Sequence, residues 1–311
     1  MLLRLFLSGC VALLTACHVD FGDSDRFHED FHHSFKLAPG GKLSIENQNG
    51  AIDISTWDKD EVEINGTKNA STQDLLRDLK VQIDATTSAV RVRVDRPSFN
   101  GNCGVRFAIR VPRKLELERI KSSNGSIQVN GVEGAANLQT SNGRIEAIHL
   151  IGKLTAETTN GSIELAGHIG RVQARTSNGK ISGEIEKGWL DGHTSNGSID
   201  VHLKNIDVPE PVRLETSNGN ITVTLGMAHA LSARTSNSPI TLRMPEKSDA
   251  VLRARAGNAR IDSDFGDTRK SSGGDDEDEH QRNKSLDAKV GNGGPVIDLS
   301  TSNGNIRILK S

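Results

Sequence analysis

From about residue 41 to its end, the chain is written in a two-residue alternation of apolar and polar positions. Leu43-x-Ile45, Ile52-x-Ile54, Ile127-x-Val129 and Leu154-x-Ala156 are examples. This is the period of a strand with one buried face and one wetted face. The runs are short and the punctuation between them is regular. Asn-Gly recurs at Asn124, Asn142, Asn160, Asn178 and Asn196, each 18 residues after the last and mostly inside Thr-Ser-Asn-Gly. The spacing loosens through Asn218, Asn237 and Asn258, and a long insertion precedes Asn303. Gly134, Gly152, Gly170 and Gly188 each follow their Asn by ten residues, so every unit has two fixed turns.

Within a unit the first strand carries Ile and Val or Leu three and five residues after the Asn. The second reads Ala136-x-Leu138-x-Thr140, Leu154-x-Ala156-x-Thr158 and Val172-x-Ala174-x-Thr176. One unit hides about five apolar side chains, worth roughly 1.5–3 kcal/mol each. Ordering its backbone costs about 1 kcal/mol or more per residue. No unit can therefore fold alone. Parallel stacking satisfies the backbone and merges the small apolar faces into one core. The expected fold class is all-β, a parallel β-solenoid or β-helix of about 18-residue coils. In it the structural turn ladder is Asn124, Asn142, Asn160, Asn178, Asn196, Asn218 and Asn303, with amides bonded along the axis. The Gly after each Asn is expected to supply a positive φ, and the Thr row to point inward with Leu and Ala.

The outlying segments fit the template less closely. Leu43, Ile45, Asn47, Asn49, Ile52 and Ile54 reproduce the register of a later coil. Val81-x-Ile83, Val90-x-Val92-x-Val94 and Val105-x-Phe107-x-Ile109-x-Val111 predict longer strands in a capping region, and Ser71 to Leu79 a short helix. The organisation read from the chain is a signal peptide over 1–16, a lipidated tether over 17–37, an N-terminal β region with the first coils over 38–120, and the regular solenoid over 121–311. An acidic loop over 264–290, with Asp275 to Glu279 at its centre, interrupts that last part. The template resumes at Ile297-x-Leu299-x-Thr301-x-Asn303, and the chain ends with that coil.

Together, Gly41-x-Leu43-x-Ile45-x-Asn47-x-Asn49-Gly50-x-Ile52-x-Ile54, the Val111-Pro112 strand end, Gly293-Gly294 and the closing Thr301-Ser302-Asn303-Gly304 resemble the bacterial putative-adhesin family of β-strand-repeat lipoproteins. The resemblance runs over about residues 38–310. It implies the repeat fold and an adhesive or surface role, and brings no catalytic or binding residues with it.

The N-terminus changes the picture. An apolar run from Leu5 to Leu14 follows Arg4, too short to span a bilayer and suited to a signal-peptide core. Leu14-Thr15-Ala16-Cys17 then resembles a bacterial lipobox, making Cys17 the expected lipid-attachment residue. Leu7-Ser8-Gly9-Cys10 fits the same pattern, but cleavage there leaves almost no apolar core before it. An anchor of two or more acyl chains holds a protein stably on a membrane. His18 stands where an inner-membrane retention signal would place Asp, which favours the outer membrane. Processing at Cys17 leaves Cys103 as the one thiol, so no disulfide is expected within the chain.

Charge and chemistry narrow the function. With 38 basic and 40 acidic residues there is no overall field for nucleic acid, and no nucleic-acid partner is expected. The cluster His28-Glu29-Asp30-Phe31-His32-His33 has metal-ligating residue types, but a solvated tether has the same composition. Asp275 to Glu279 lacks the alternating ligands and Gly of a calcium loop. No paired carboxylates, Ser-His-Asp set, phosphate-binding glycine loop or zinc spacing recurs, so the expectation is no enzyme, no cofactor and no metal. The partners expected are the membrane, through the lipid, and a glycan or surface protein. The alternatives are a glycan-acting or hexapeptide-transferase-like β-helix enzyme and an accessory envelope-stress sensor. The transferase repeat buries an aliphatic every six residues, whereas here they fall three, five, twelve, fourteen and sixteen after the Asn.

Overall fold

A computed structural model describes residues 27–96, 101–266 and 284–311. It therefore excludes Cys17, its leader and the acidic run Asp275 to Glu279. The chain alternates between two walls that face each other across an apolar interior, with two corners per layer. In the regular middle, β9 (Ile127–Asn130), β11 (Ile145–Ile148) and the first part of β13 (Ile163–Arg175) pair in parallel on one wall. On the other wall β10 (Ala136–Gln139), β12 (Leu154–Glu157) and the second part of β13 do the same. Partners such as Ile127, Ile145, Ile163 and Ile181 lie 18 residues apart and stack in register.

β13 and β14 (Ile181–His193) pass round the second corner without interruption, paired along both halves. β15 (Ile199–Leu203), β17 (Ile221–Leu225) and β19 (Ile240–Met244) continue one wall. β16 (Val212–Glu215) and β18 (Leu231–Thr235) continue the other. The alternation in the sequence becomes alternation in burial: Ile145, Ala147, Ile163, Val172 and Ala174 are fully shielded, while Arg144, Glu146 and Gln173 keep contact with solvent. Every described apolar residue buried in this way joins one continuous core.

Both ends depart from chain order. At the N-terminal end, β2 (Gly41–Glu46) and β3 (Ile52–Trp57) form a layer that pairs on one side with β8 (Leu115–Lys121) and β9. Its other side is covered by β6 (Ala89–Asp95) and β7 (Cys103–Pro112). Antiparallel strands then close the stack: β5 (Lys80–Ala85) on β6, and β4 (Glu61–Ala70) on β7 with β1 (Phe27–Lys36) outside it. The expected short helix is α1 (Gln73–Asp78), started by Thr72, whose hydroxyl accepts from the Leu75 N–H.

β1 corrects the tether expected over 17–37, because Phe27 to Lys36 pair residue by residue with Ala70 to Glu61. Phe27, Phe31 and Phe35 recur every fourth residue and pack on the core, and the Phe31 ring lies over Gly66, where any side chain would collide with it. Three aromatic anchors outweigh a polar composition.

At the C-terminal end, β20 (Ala250–Ala256) and β21 (Ile261–Ser263) do not stack on β18 and β19. The last strands of the chain, β23 (Val296–Thr301) and β24 (Ile306–Lys310), are inserted between them. Spatial order therefore departs from chain order: the coil that ends the chain lies inside the layer 250–263. β22 (Ser285–Val290), inside the segment expected to be an acidic loop, is a strand that closes β20 in antiparallel fashion.

Candidate functional site

The Asn residues share one corner. Asn124 donates its side-chain N–H to the Asn49 amide oxygen at 2.7 Å. Asn142, Asn160, Asn178, Asn196 and Asn218 each repeat this with the preceding Asn at 2.7–2.8 Å. Asn237, Asn303 and Asn258 extend the column in that spatial order, Asn303 bonding to Asn237 and Asn258 to Asn303. The column has a direction. Its first donor, the Asn49 amide, is taken by the Cys103 carbonyl at 2.9 Å, while its last acceptor, the Asn258 Oδ1, has no donor among the described residues.

Behind the Asn column stands a buried Thr column. Thr140, Thr158, Thr176, Thr194, Thr216 and Thr235 each donate a hydroxyl to a Gly carbonyl one coil away, at 2.9–3.1 Å. In most of these turns the same hydroxyl accepts from the N–H of the Gly that follows the Asn, so it holds its own turn and ties it to the next. In the first coil Asn47 takes the place of Thr, reaching the Val105 carbonyl at 2.7 Å and Gly50 at 3.2 Å.

The Gly in Thr-Ser-Asn-Gly is required for a different reason from the one expected. Gly143, Gly161, Gly179 and Gly197 do not have positive φ. A Cβ on each would fall inside the carbonyl oxygen of the equivalent Gly one coil away. The positive φ belongs to the second corner, at Gly134, Gly152, Gly170 and Gly188, with φ between 133° and 155°.

On the outer surface, a groove of about 630 Å³ crosses β5, β6, β2, β8 and β10. A register shift in β8 turns consecutive residues, Glu118 and Arg119, outward together. Glu46 lies between two guanidinium groups, 3.6 Å from Arg93 and 3.5 Å from Arg119. Beside this clasp Asp84, Arg91, Asn137 and Gln139 line the groove with no hydrogen bond or ion pair of their own side chains among the described residues. A smaller cleft of about 390 Å³ on the opposite wall holds Asp53, Asn65, Arg110, Gln128 and Asn130. Partial burial raises the Asp53 pKa, opposed by Arg106. Elsewhere the shifts run the other way: hydrogen bonds from Arg110, Lys204 and Arg171 hold Glu63, Glu184 and Glu210 below the usual carboxylate range.

One interior side chain breaks the pattern. His168 is fully buried in the column that continues Val132 and Leu150, and neither ring nitrogen has a hydrogen-bond partner. Desolvation pushes its pKa down to about 4, opposed in part by the Gly152 backbone.

The His-rich segment is spread along β1 and not gathered. Its side chains engage β4, with His32 against Asn65 at 2.8 Å, Asp30 accepting from Thr67 at 2.7 Å and Glu29 paired with Lys68 at 3.1 Å. No group of metal-ligating side chains converges among the described residues. Cys103 is buried. The groove, the cleft and His168 were not visible in the repeat pattern. The one signal was Glu118-Arg119, two charged residues in succession where the alternation calls for one apolar.

These features define an all-β protein of parallel, solenoid-like stacked strands with antiparallel caps. The chain belongs to the Toastrack DUF4097 family, whose model matches residues 41–309. Among solved structures it is similar to a putative adhesin from Bacteroides fragilis NCTC 9343, with 12% identity, 91% of this chain and 97% of that one covered, and a TM-score of 0.41. A putative adhesin from Parabacteroides distasonis ATCC 8503 gives 9% identity, the same coverage and a TM-score of 0.39. A putative cell adhesion protein from Clostridium sporogenes ATCC 15579 gives 10%, coverage of 91% and 100%, and 0.22. Superpositions this loose say nothing about what this chain binds. No curated protein matches it.

Proposed function

We infer that the protein is a lipid-anchored component of the bacterial cell envelope with a structural, adhesive or surface-binding role and no catalysis. In this reading the body is a parallel β-solenoid built from Thr-Ser-Asn-Gly coils of about 18 residues, held on the outer membrane through acyl chains on Cys17.

The observation that carries it is the regularity of the outer surface. Ten Asn residues stand in one hydrogen-bonded column, which corresponds to a rod of roughly 43 Å at the usual strand spacing. Charges on its walls are matched between successive coils, as in Arg144 with Glu164 at 3.5 Å and Lys180 with Asp200 at 3.1 Å. Such a body presents rigid polar rows and needs no moving part. Carboxylates such as Glu63, Glu184 and Glu210, held ionised by neighbouring cations, are the opposite of the raised acid that glycoside cleavage needs. Asp53 is raised, but it is the one carboxylate lining its cleft.

Deleting residues 121–311 while keeping the leader tests the role. The expected result is altered surface attachment or envelope integrity with normal growth otherwise; unchanged attachment and integrity would contradict it. Cys17→Ala tests the anchor separately. It is expected to move the protein from the membrane fraction to the soluble fraction and to abolish labelling by a fatty-acid precursor. Retention with label would refute acylation at that residue.

A further inference from the structure

The groove on the outer surface of the β5–β6–β2–β8–β10 wall is built differently from the surface beyond it. It crosses five strands near one end of the stack, so at the usual spacing it is on the order of 19 Å long, perpendicular to the strands. Two lateral rows line it. Asp84 lies opposite Arg91, which lies beside Ser44; Gln82 lies opposite Arg93, which lies beside Glu46. Asn137 and Gln139 close the two rows on β10.

The groove combines paired and unpaired charges: Glu46 and Glu118 are engaged by cations of neighbouring strands, while Asp84 and Arg91 are not. Glu46 is held by Arg93 and Arg119, and this fixes both guanidinium groups in place while leaving donors on each unused. Asp84, Arg91, Asn137 and Gln139 are uncommitted, which gives a carboxylate, a guanidinium and two amides converging on one hydrated trough. All of them stand on paired strands, whose backbone cannot move to satisfy them. A groove of this size falls within the range of ligand sites.

The chemistry of the lining excludes several occupants. Three guanidinium groups, Arg91, Arg93 and Arg119, balance three carboxylates, Glu46, Asp84 and Glu118, so there is no net field to gather a polyanion or a polycation. Val92 is the sole apolar side chain in the lining and is itself buried, so neither an acyl chain nor an amphipathic helix finds a surface. The groove runs across strand faces, perpendicular to the one free edge at its rim, that of β5, so a peptide added to that edge would lie across the groove's end and not along its lining. What fits is an elongated, uncharged molecule that both donates and accepts hydrogen bonds along its length. Hydroxyl groups do both, and pairs of them suit a carboxylate or a guanidinium in two-point contact.

We propose that this groove is a binding site for an uncharged oligosaccharide, held by Asp84, Arg91, Asn137 and Gln139 around the Glu46 clasp. The proposal rests on the surface-binding reading above and names its ligand class and place. The saccharide comes either from the bacterium's own envelope or from a surface the cell attaches to, and the chemistry of recognition is the same for both.

The test is a titration of the full-length chain in detergent micelles against two pools of uncharged glycans. One is cell-wall glycan from the bacterium, freed of peptide and with its lactyl carboxylates converted to amides, and the other is desialylated and desulfated mucin glycan. Saturable binding to one pool identifies the source. The double variant Arg91→Ala with Gln139→Ala is expected to bind at least ten-fold more weakly while unfolding at the same temperature as the parent. Arg213→Ala, exposed further along the same wall, is expected to bind as the parent does. Binding by the double variant at parental affinity, or saturable binding to neither pool, would overturn the proposal. If glycan binding fails while the deletion still impairs attachment, the groove is wrong and the surface-binding reading stands. If both fail, both are wrong.

Discussion

The middle of the stack and its two ends solve the same problem with different chemistry. A middle coil has a neighbour on each side, and every device in it works in both directions. Thr176 bonds to the coil before it through the Gly161 carbonyl, and Gly179 leaves room for the same carbonyl. The outermost C-terminal coil has a parallel neighbour on one side only; among the described residues its other side meets just the antiparallel β22, along β20. Where a middle coil reads Thr-Ser-Asn-Gly, it reads Ala256-Gly257-Asn258-Ala259, without the buried hydroxyl and with a Cβ where a middle coil needs none. It keeps the Asn, which reaches Asn303 at 2.9 Å. At the N-terminal end the parallel order stops altogether, and the antiparallel β4 and β5 cover strands that would otherwise expose a template for further pairing. Repetition builds the length of such a protein; departure from it sets where the protein stops.

Substitutions can break or sharpen this contrast. The largest effect is expected at the Gly of a middle coil: Gly161→Val places carbon against a backbone oxygen of a fixed strand and should destabilise by about 3 kcal/mol or more. Ala259→Val, at the equivalent place in the outer coil, should cost under about 1 kcal/mol in the same denaturant titration. Comparable losses at the two sites would remove the distinction between middle and end.

His168 gives a pH-dependent effect of similar size. Its folded-state pKa is about 4 against an ordinary 6.5, so between those values the unfolded chain binds the proton and the folded one does not. Stability is therefore full above pH 6.5 and falls as pH drops toward 4, by roughly 3 kcal/mol in all. His168→Leu, which restores the aliphatic column of Val132 and Leu150, should remove this component and raise stability at pH 5. An unchanged pH slope in that variant would assign the acid loss to other groups.

Smaller effects follow at the corner. Thr176→Val keeps the shape but strands the Gly161 carbonyl and the Gly179 N–H, at a cost of about 1–2 kcal/mol. Ala256→Thr in the outer coil should change stability by less than about 1 kcal/mol. Asn160→Ala removes one exposed rung and should cost about 0.5–1 kcal/mol. If the Asn change exceeds the Thr change, the exposed column carries more of the stacking than the buried one.

Much of the middle could be read from the chain, because a repeat states its own register. The alternation of Ile145-x-Ala147 or Val172-x-Ala174 with polar neighbours fixes which side faces inward, and the constant interval between Asn residues fixes what lies on what. The ends could not be read this way. Phe27, Phe31 and Phe35 lie in a polar stretch whose composition resembles a linker, and the packing of Phe31 depends on Gly66, far along the chain. The insertion of the last coil between two earlier ones breaks the rule that sequential units are neighbours. A clue was present, since Thr301-Ser302-Asn303-Gly304 has everything a two-sided coil needs and Ala256-Gly257-Asn258-Ala259 does not. The groove arises at the other end, where β6 and β8 flank β2, so no local motif marks it. The interval cannot reveal that the Gly after Asn serves close approach and not positive φ, because both demands select the same residue.

Stacking in a fixed spatial order can be tested at a single corner. Asn237 and Asn303 are bonded side chain to side chain at 2.8 Å, whereas Asn258 contacts Asn303 from its far side. Cysteines replacing neighbours in one column should meet the geometry of a disulfide. Under mild oxidation, Asn237→Cys with Asn303→Cys is expected to cross-link within one chain, and Asn237→Cys with Asn258→Cys to remain reduced. A bond between 237 and 258, with none between 237 and 303, would show that the layers follow chain order and would contradict the architecture described.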